Sequence, residues 1–317
     1  MKVEQKRWED YKCMPNKNGP SKSRKRCCPH CGSDQFVKNG ERKRKYLGSV
    51  QVYLCQNKKC HRKFSDAPIL HLHYPLWVLD IILSLFVEGM RMEAIVEDVK
   101  RTAKMKGMEM SISIPTVINI VKSCSNLLLI IEENYHHELI SNIWQIDDCF
   151  QPRPHRLWAY ITNVLAVDQR YWLASDVSVN RDTQASINAL QQAVLRAAYY
   201  PVVVQCDGLH SHAAAIKKIL PHARLNQKSK PSDISIVNYI ERLNRTMRRG
   251  QIAKGKCFTT VELLQAAAEL ARLQYNFLSH HKSLKGKTPA EAAGIKLNIR
   301  SWKDLILLAT RLSKKRR

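Results

Sequence analysis

Residues 143–150 read IWQIDDCF, an apolar and aromatic run of the kind a buried strand is made of, with two adjacent carboxylates, Asp147 and Asp148, in its middle. Burying a charge is costly unless something pairs with it. The chain has few acids to spare: 52 Lys and Arg stand against 27 Asp and Glu in 317 residues, a formal net charge of +25. Successive side chains on a strand point to opposite faces, so only one of the two acids can look into any one site.

Downstream the strand-like pattern recurs as RLWAYITNVLAVD, YWLASDVSV and VVVQCD. Between the last two lies a helical stretch, TQASINALQQAVLRAAYY, whose Ile187, Leu190, Val194 and Ala198 predict one buried face. Helices dominate again from about residue 234. Strands, helix, strand, helix is an α/β order. Two further acids occupy marked places in it. Asp207 directly follows VVVQC, and Glu241 lies in the helical NYIERLNRTMRR, 34 positions later. Singly, each has an ordinary reading: a strand-end Asp caps a turn or helix, and Glu241 can pair with Arg245 at i+4. As a set they offer hard oxygen ligands of the sort divalent cations take. Phosphoryl transfer on nucleic acid needs such cations, held ~3.5–4 Å apart by carboxylates, more than it needs covalent help from protein. Asp168, Asp176 and Asp182 read as turn and surface residues. His210, His212, His280 and His281 read as solvated or facing nucleic acid.

The charge points to a polyanionic partner, and nucleic acid is the usual one. It is also unevenly spread: residues 1–65 hold 18 Lys and Arg against 5 Asp and Glu, a net of +13. Residues 1–26 read as a flexible basic arm. Residues 27–66 hold five of the ten cysteines, with Cys28-x-x-Cys31 and Cys55-x4-Cys60 as two pairs. Four thiolates close a tetrahedral zinc site, and a structural zinc supplies folding energy that so short a segment lacks. Cys27 and His61 are possible substitute ligands. Residues 75–139 are helical in pattern. Gly89 separates two segments, and SISIPTVINIVKS follows, with Ser113 placed to cap and Pro115 to enter a first turn. This is the shape of a helix-turn-helix, with a connection, 102–112, that is long for a tight one. The N-terminus lacks an apolar core of signal-peptide type, and the apolar run 76–87 is too short to span a bilayer. The expectation is a cytoplasmic, nucleoid-associated protein with no membrane partner.

The pattern WQIDD…VVVQCDGLHSH…NYIERLNRTMRRG, closed by YNFLSHHKSLKGKTPAEAAGI, resembles the catalytic core of insertion-sequence transposases of the Asp-Asp-Glu type over residues 141–295. The cysteine pairs and helical region ahead of it are similar to the DNA-binding parts of such proteins. The resemblance implies a ribonuclease H-like α/β fold, with a mixed sheet flanked by helices, preceded by a zinc ribbon and a helix-turn-helix region. Residues 296–317 would be a basic C-terminal tail. It implies Asp147, Asp207 and Glu241 as catalytic residues holding two Mg²⁺ or Mn²⁺ ions. Asn238 is one turn from Glu241, and Arg245 and Arg248 lie further along that helix; all three would meet DNA. The partners implied are terminal inverted repeats, target DNA and at least a second copy of the chain. Asp148 stands where many relatives have Glu, and Cys206 where many have Thr. Asp147 is preferred to Asp148 because Trp144 precedes it by three residues.

Overall fold

The computed structural model describes residues 28, 31, 33–44, 48–65, 74–135, 140–153, 157–227, 236–249 and 258–315. Residues 1–26 and Cys27 lie outside them. The chain divides into two units, the cysteine-rich one and a larger one that takes in residues 66–316. In the smaller unit, β1 (Phe36–Arg44), β2 (Gly48–Cys55) and β3 (Lys63–Ser65) form one sheet in that order. Its apolar content is small. Tyr53 and Phe64 stack at 5.4 Å, and Phe36 meets both edge-on.

The larger unit begins with three helices: α1 (Leu76–Val87), α2 (Met92–Met105) and α3 (Ile114–Leu128). Gly89 takes φ +86° in the turn between the first two, a conformation glycine adopts without steric cost. Pro115 sits in the first turn of α3. Helix α2 runs on through residues expected to be connection, so the true link to α3 is shorter than the sequence reading.

The sheet follows, with β4 (Ile143–Arg153), β5 (Leu157–Ala166), β6 (Tyr171–Ser178), β7 (Val203–Cys206) and β8 (Arg224–Gln227). The strand order is β6-β5-β4-β7-β8. The first three pair antiparallel, while β4–β7 and β7–β8 are parallel. Helices α4 (Thr183–Ala197) and α5 (His210–Ile219) supply the two crossovers that parallel pairing requires. Then come α6 (Asn238–Arg249), α7 (Val261–Phe277), the short α8 (Pro289–Ala292) and α9 (Trp302–Lys315). This mixed five-stranded sheet flanked by helices is the ribonuclease H-like arrangement the sequence led us to expect. Strand β8, RLNQ, has no apolar pattern and was not anticipated; it exists because β7 offers it a free edge.

Three local readings need correction. On α4 Ile187 and Leu190 are buried as expected, together with Ala185, Ser186, Ala189, Ala193 and Ala197. Val194 is only half-buried, and Ala198 ends the helix at φ +59°. Residues 75–139, 141–295 and 296–317 do not fold as separate bodies. Helix α3 packs against α7, and α9 packs against both α1 and α3. The expected tail is therefore a core helix, with Trp302, Leu305, Ile306 and Ala309 buried. Residues Ile114–Ile131 are apolar and long enough to cross a membrane; here that character is met by α7 and α9.

A buried ionic network ties the helical region to the sheet. Arg272 on α7 is fully buried and lies between two acids: its guanidinium bonds both carboxylate oxygens of Glu132, and it reaches Glu269 at 2.6 and 2.9 Å. Tyr171 Oη donates to Glu132 at 2.8 Å, and Arg196 on α4 reaches Glu269 at 3.1 Å. Burial alone would raise the Glu132 pKa, but Arg272 and Arg196 overcome it and hold the carboxyl below its ordinary value.

Removing Arg272 leaves two buried acids, Glu132 and Glu269, with Arg196 alone among the described residues to balance them. Arg272→Ala should cost about 3–5 kcal/mol in denaturant unfolding. Because the folded Glu132 pKa is depressed, its contribution is complete above the unfolded value of ~4.3 and is lost as pH falls through the folded one. Melting curves between neutral pH and pH ~3 should show that loss in the wild type, and Glu132→Gln should show less of it.

Candidate active site

The parallel register fixes the site. Ile143 pairs with Val203, and the pairing runs in step to Ile146 with Cys206. The next residue on each strand is an acid, Asp147 on one and Asp207 on the other. Asp147 lies within β4 and Asp207 just past the end of β7, so the two stand side by side on adjacent strands. Asp207 is also the first residue of the turn into α5, and its Oδ1 accepts from the Leu209 amide at 3.0 Å.

The strand alternation then separates Asp147 from Asp148. Asp147 pairs across β5 with Asn163, and its Oδ2 accepts from Asn244 of α6 at 2.8 Å. Asn244 in turn accepts from Asn163 at 2.8 Å, and Ser175 of β6 donates to Asn163 at 2.6 Å. Asn244, Asn163 and Ser175 are all buried. This polar chain crosses three strands and a helix and sets the orientation of one carboxylate. Asp148 faces the other side, where Thr162 donates to it at 2.7 Å and Arg181 at 2.7 Å. Arg181 also lies 3.6 Å from Asp207 and 5.1 Å from the centre of the Phe150 ring. Asp148 is thus a paired acid that anchors an arginine beside the site.

Helix α6 presents two faces. Ile240, Leu243, Asn244 and Met247 are buried, while Asn238, Glu241, Arg245 and Arg248 are exposed. Arg248 Nε donates to the Asn244 carbonyl at 3.3 Å. Glu241 stands one turn before Asn244, and its charge acts on Asp147. Its carboxylate does not join the tight group of ligand atoms. That group is Asp147, Asp207 and His212, with one ligand atom of each within 4.8 Å of the others.

His212 was read from sequence as solvated or facing DNA, and the structure overturns this: it is fully buried. Its Nδ1 lies 2.9 Å from Ser186 Oγ, while Nε2 is buried without a hydrogen-bond partner among the described residues. Burial holds its pKa below the ordinary histidine value, against the pull of Asp148 and Asp207. Ala215 and Ile216, three and four residues on, are the sequence signal for a buried face that could have revealed it. His210 is exposed, as expected. Asp182 caps α4 by accepting from Ala185 at 2.9 Å, while Asp176 lies within β6 and accepts from Gln192 at 3.2 Å, so it is no turn residue.

These residues suit divalent cations. Asp147 is pushed up to about 7, first by burial and then by Asp207, with Asp148 and Glu241 adding. Crowded carboxylates and an unpartnered imidazole nitrogen are groups that a cation relieves. In the smaller unit, Cys28, Cys31, Cys55 and Cys60 bring their sulfurs together, Cys28 with Cys60 at 3.9 Å and Cys31 with Cys55 at 3.5 Å. Four thiols so placed suit a tetrahedral cation such as zinc. His61, exposed at φ +44°, is outside the group.

No family model matches the chain, and no curated protein matches it. Among solved structures, it is similar to the HTLV-2 integrase catalytic core domain in complex with magnesium, at 13% identity and a TM-score of 0.36, covering 50% of this chain and 99% of that one. It is also similar to the catalytic core domain of BIV integrase, at 18% identity and a TM-score of 0.34, covering 48% and 93%. A third is the simian T-cell lymphotropic virus intasome in complex with PP2A regulatory subunit B56 gamma, at 14% identity and a TM-score of 0.40, covering 64% and 73%.

Two outcomes follow for cation binding. Mn²⁺ at about 100 times its dissociation constant should stabilise the wild type by about 2.7 kcal/mol, read as a higher melting temperature than in EDTA. Asp147→Asn should melt higher than wild type in EDTA, since a crowded charge is gone, and should lose the response to Mn²⁺. Separately, Cys31→Ser should lower the zinc content of the purified protein and abolish folding of β1–β3, seen as collapse of amide dispersion for those residues.

Proposed function

We propose that this chain is a transposase of the Asp-Asp-Glu type. It would cut DNA at the ends of a mobile element and join the freed 3′-hydroxyl to target DNA. The observation that carries this reading is the adjacency of Asp147, within β4, and Asp207, just past the end of β7, with Glu241 on the helix packed against β4. The +25 charge supports nucleic acid as the substrate.

In this reading Asp147, Asp207 and Glu241 would hold two divalent cations. The chemistry such cations supply when bound is activation of the attacking oxygen and stabilisation of the leaving one. Asn244 keeps Asp147 aimed at the site. Arg248 and Arg245, exposed on the same helix as Glu241, hold the phosphate backbone beside it, and Asn238 meets DNA at the start of that helix. The cysteine unit, as a zinc ribbon, and helices α1–α3, as a helix-turn-helix region, would recognise the terminal inverted repeats. Two ends must be held together for joining, so the active form is at least a dimer on DNA, working on nucleoid DNA in the cytoplasm.

The test is a labelled duplex carrying the repeat that flanks the gene, incubated with Mg²⁺ or with EDTA. Metal-dependent joined products are expected from the wild type. Asp207→Asn and Glu241→Gln should each reduce them about a thousandfold or more, since a lost metal carboxylate removes several kcal/mol of transition-state stabilisation. Arg248→Ala should weaken DNA binding and lower the salt slope by about one. Cleavage without joining would reassign the chain as a nuclease. Site-specific binding with neither product would make it a DNA-binding regulator.

A further inference from the structure

We propose that His212 is a nitrogen ligand to the cation held by Asp147 and Asp207, which makes the site prefer Mn²⁺-like ions over Mg²⁺. The inference rests on the acidic pair being a cation site and adds to it a ligand that is not a carboxylate.

Three observations converge. First, His212 is fully buried, and its Nε2 has no hydrogen-bond partner among the described residues. Buried polar atoms are nearly always satisfied, so an orphan calls for an explanation. Second, the neighbouring acids do not satisfy it. Asp148 Oδ1 is 3.6 Å away and Asp207 Oδ1 is 3.9 Å away, both beyond hydrogen-bond reach. Asp148 is already occupied by Thr162 and Arg181. Third, the other ring nitrogen is fixed by Ser186 at 2.9 Å. With Nδ1–H donated to Ser186 Oγ, Nε2 keeps a lone pair available to a cation, 3.9 Å from Asp207 Oδ1. A hydrogen bond on the far nitrogen is the usual way a protein sets the tautomer and angle of a metal-binding histidine.

The distances fit one ion. Ligand atoms at ~2.1 Å from a common centre stand at most ~4.2 Å apart. The 3.9 Å between His212 Nε2 and Asp207 Oδ1 is within that span. The trio as a whole lies within 4.8 Å, so small side-chain rotations close it. Imidazole favours transition-metal ions, whereas carboxylates alone suit Mg²⁺. Ser186 is then a positioning residue, which explains why a serine occupies the buried face of α4.

The test uses the full-length protein, zinc-loaded, with Mn²⁺ as probe and no DNA. Pulsed electron paramagnetic resonance should show a directly bound ¹⁴N in the wild type. The cysteine cluster, having only sulfur ligands, cannot supply that signal. His212→Leu, close in volume and without a ligand atom, should abolish the coupling and weaken Mn²⁺ at least as much as the ~10–100-fold typical of losing an outer-shell partner. Mg²⁺ affinity should fall less. Ser186→Ala should weaken Mn²⁺ while keeping the nitrogen signal. Mn²⁺ that binds in an Asp207-dependent way without nitrogen coupling would overturn the inference and leave the acidic site standing. Mn²⁺ binding that is absent, or indifferent to Asp207→Asn, would remove the cation-site reading itself and this inference with it. Should His212→Leu fail to fold, the wild-type spectrum alone still decides.

Discussion

The parallel pairing of β4 with β7 is the constraint on which the site depends. Residues 146 and 206 are sixty positions apart in sequence, and the ladder makes them neighbours. A slip of one residue would turn every side chain of β4 to the opposite face, sending Asp147 away from α6 and Asp148 toward it. The register is protected because the two faces of β4 differ: Trp144 and Ile146 are buried apolar residues on one, while Gln145 bonds Gln205 at 2.8 Å and Asp147 bonds Asn244 at 2.8 Å on the other. A slip of one residue would break those polar bonds and turn the polar side chains into apolar packing.

Two buried polar systems add specificity to this packing. The chain from Ser175 through Asn163 and Asn244 to Asp147 can close only when β6, β5, α6 and β4 stand in their native order. The ionic network around Arg272 performs the same service on the other side, joining Glu132 after α3 to α7 and α4. Such groups are poor sources of net stability but severe critics of misplacement, since each half-made bond leaves a buried charge or amide unpaired. The second system also ties the segment that follows α3 to the body of the sheet.

A chain this basic repels itself, and the acidic site runs against that background. Asp147, Asp148, Asp207 and Glu241 lie close enough for their charges to act on one another, and Asp148 is paired with Arg181 at 2.7 Å. The remaining crowding keeps Asp147 raised to about 7. A site built in this way gives up some stability of the folded chain and gains affinity for cations in return, which is the usual relation between functional sites and fold stability.

Composition and local pattern determined a good deal. The strand character of 143–150, the acid at the end of VVVQC, the cysteine spacing and the net charge are all properties of neighbouring residues, and they outline an α/β nucleic-acid protein. What sequence could not reach is whatever depends on partners distant along the chain. Strand β8 carries no apolar signal and is held by β7 alone. Helix α9 looks like a basic tail until α1 and α3 cover its apolar face. The face occupied by Asp148, the burial of His212 and the reach of Asn244 to Asp147 were decided only when sheet register and helix docking brought those side chains together. Local sequence specifies which residues can be buried, but which of them meet is fixed by tertiary packing.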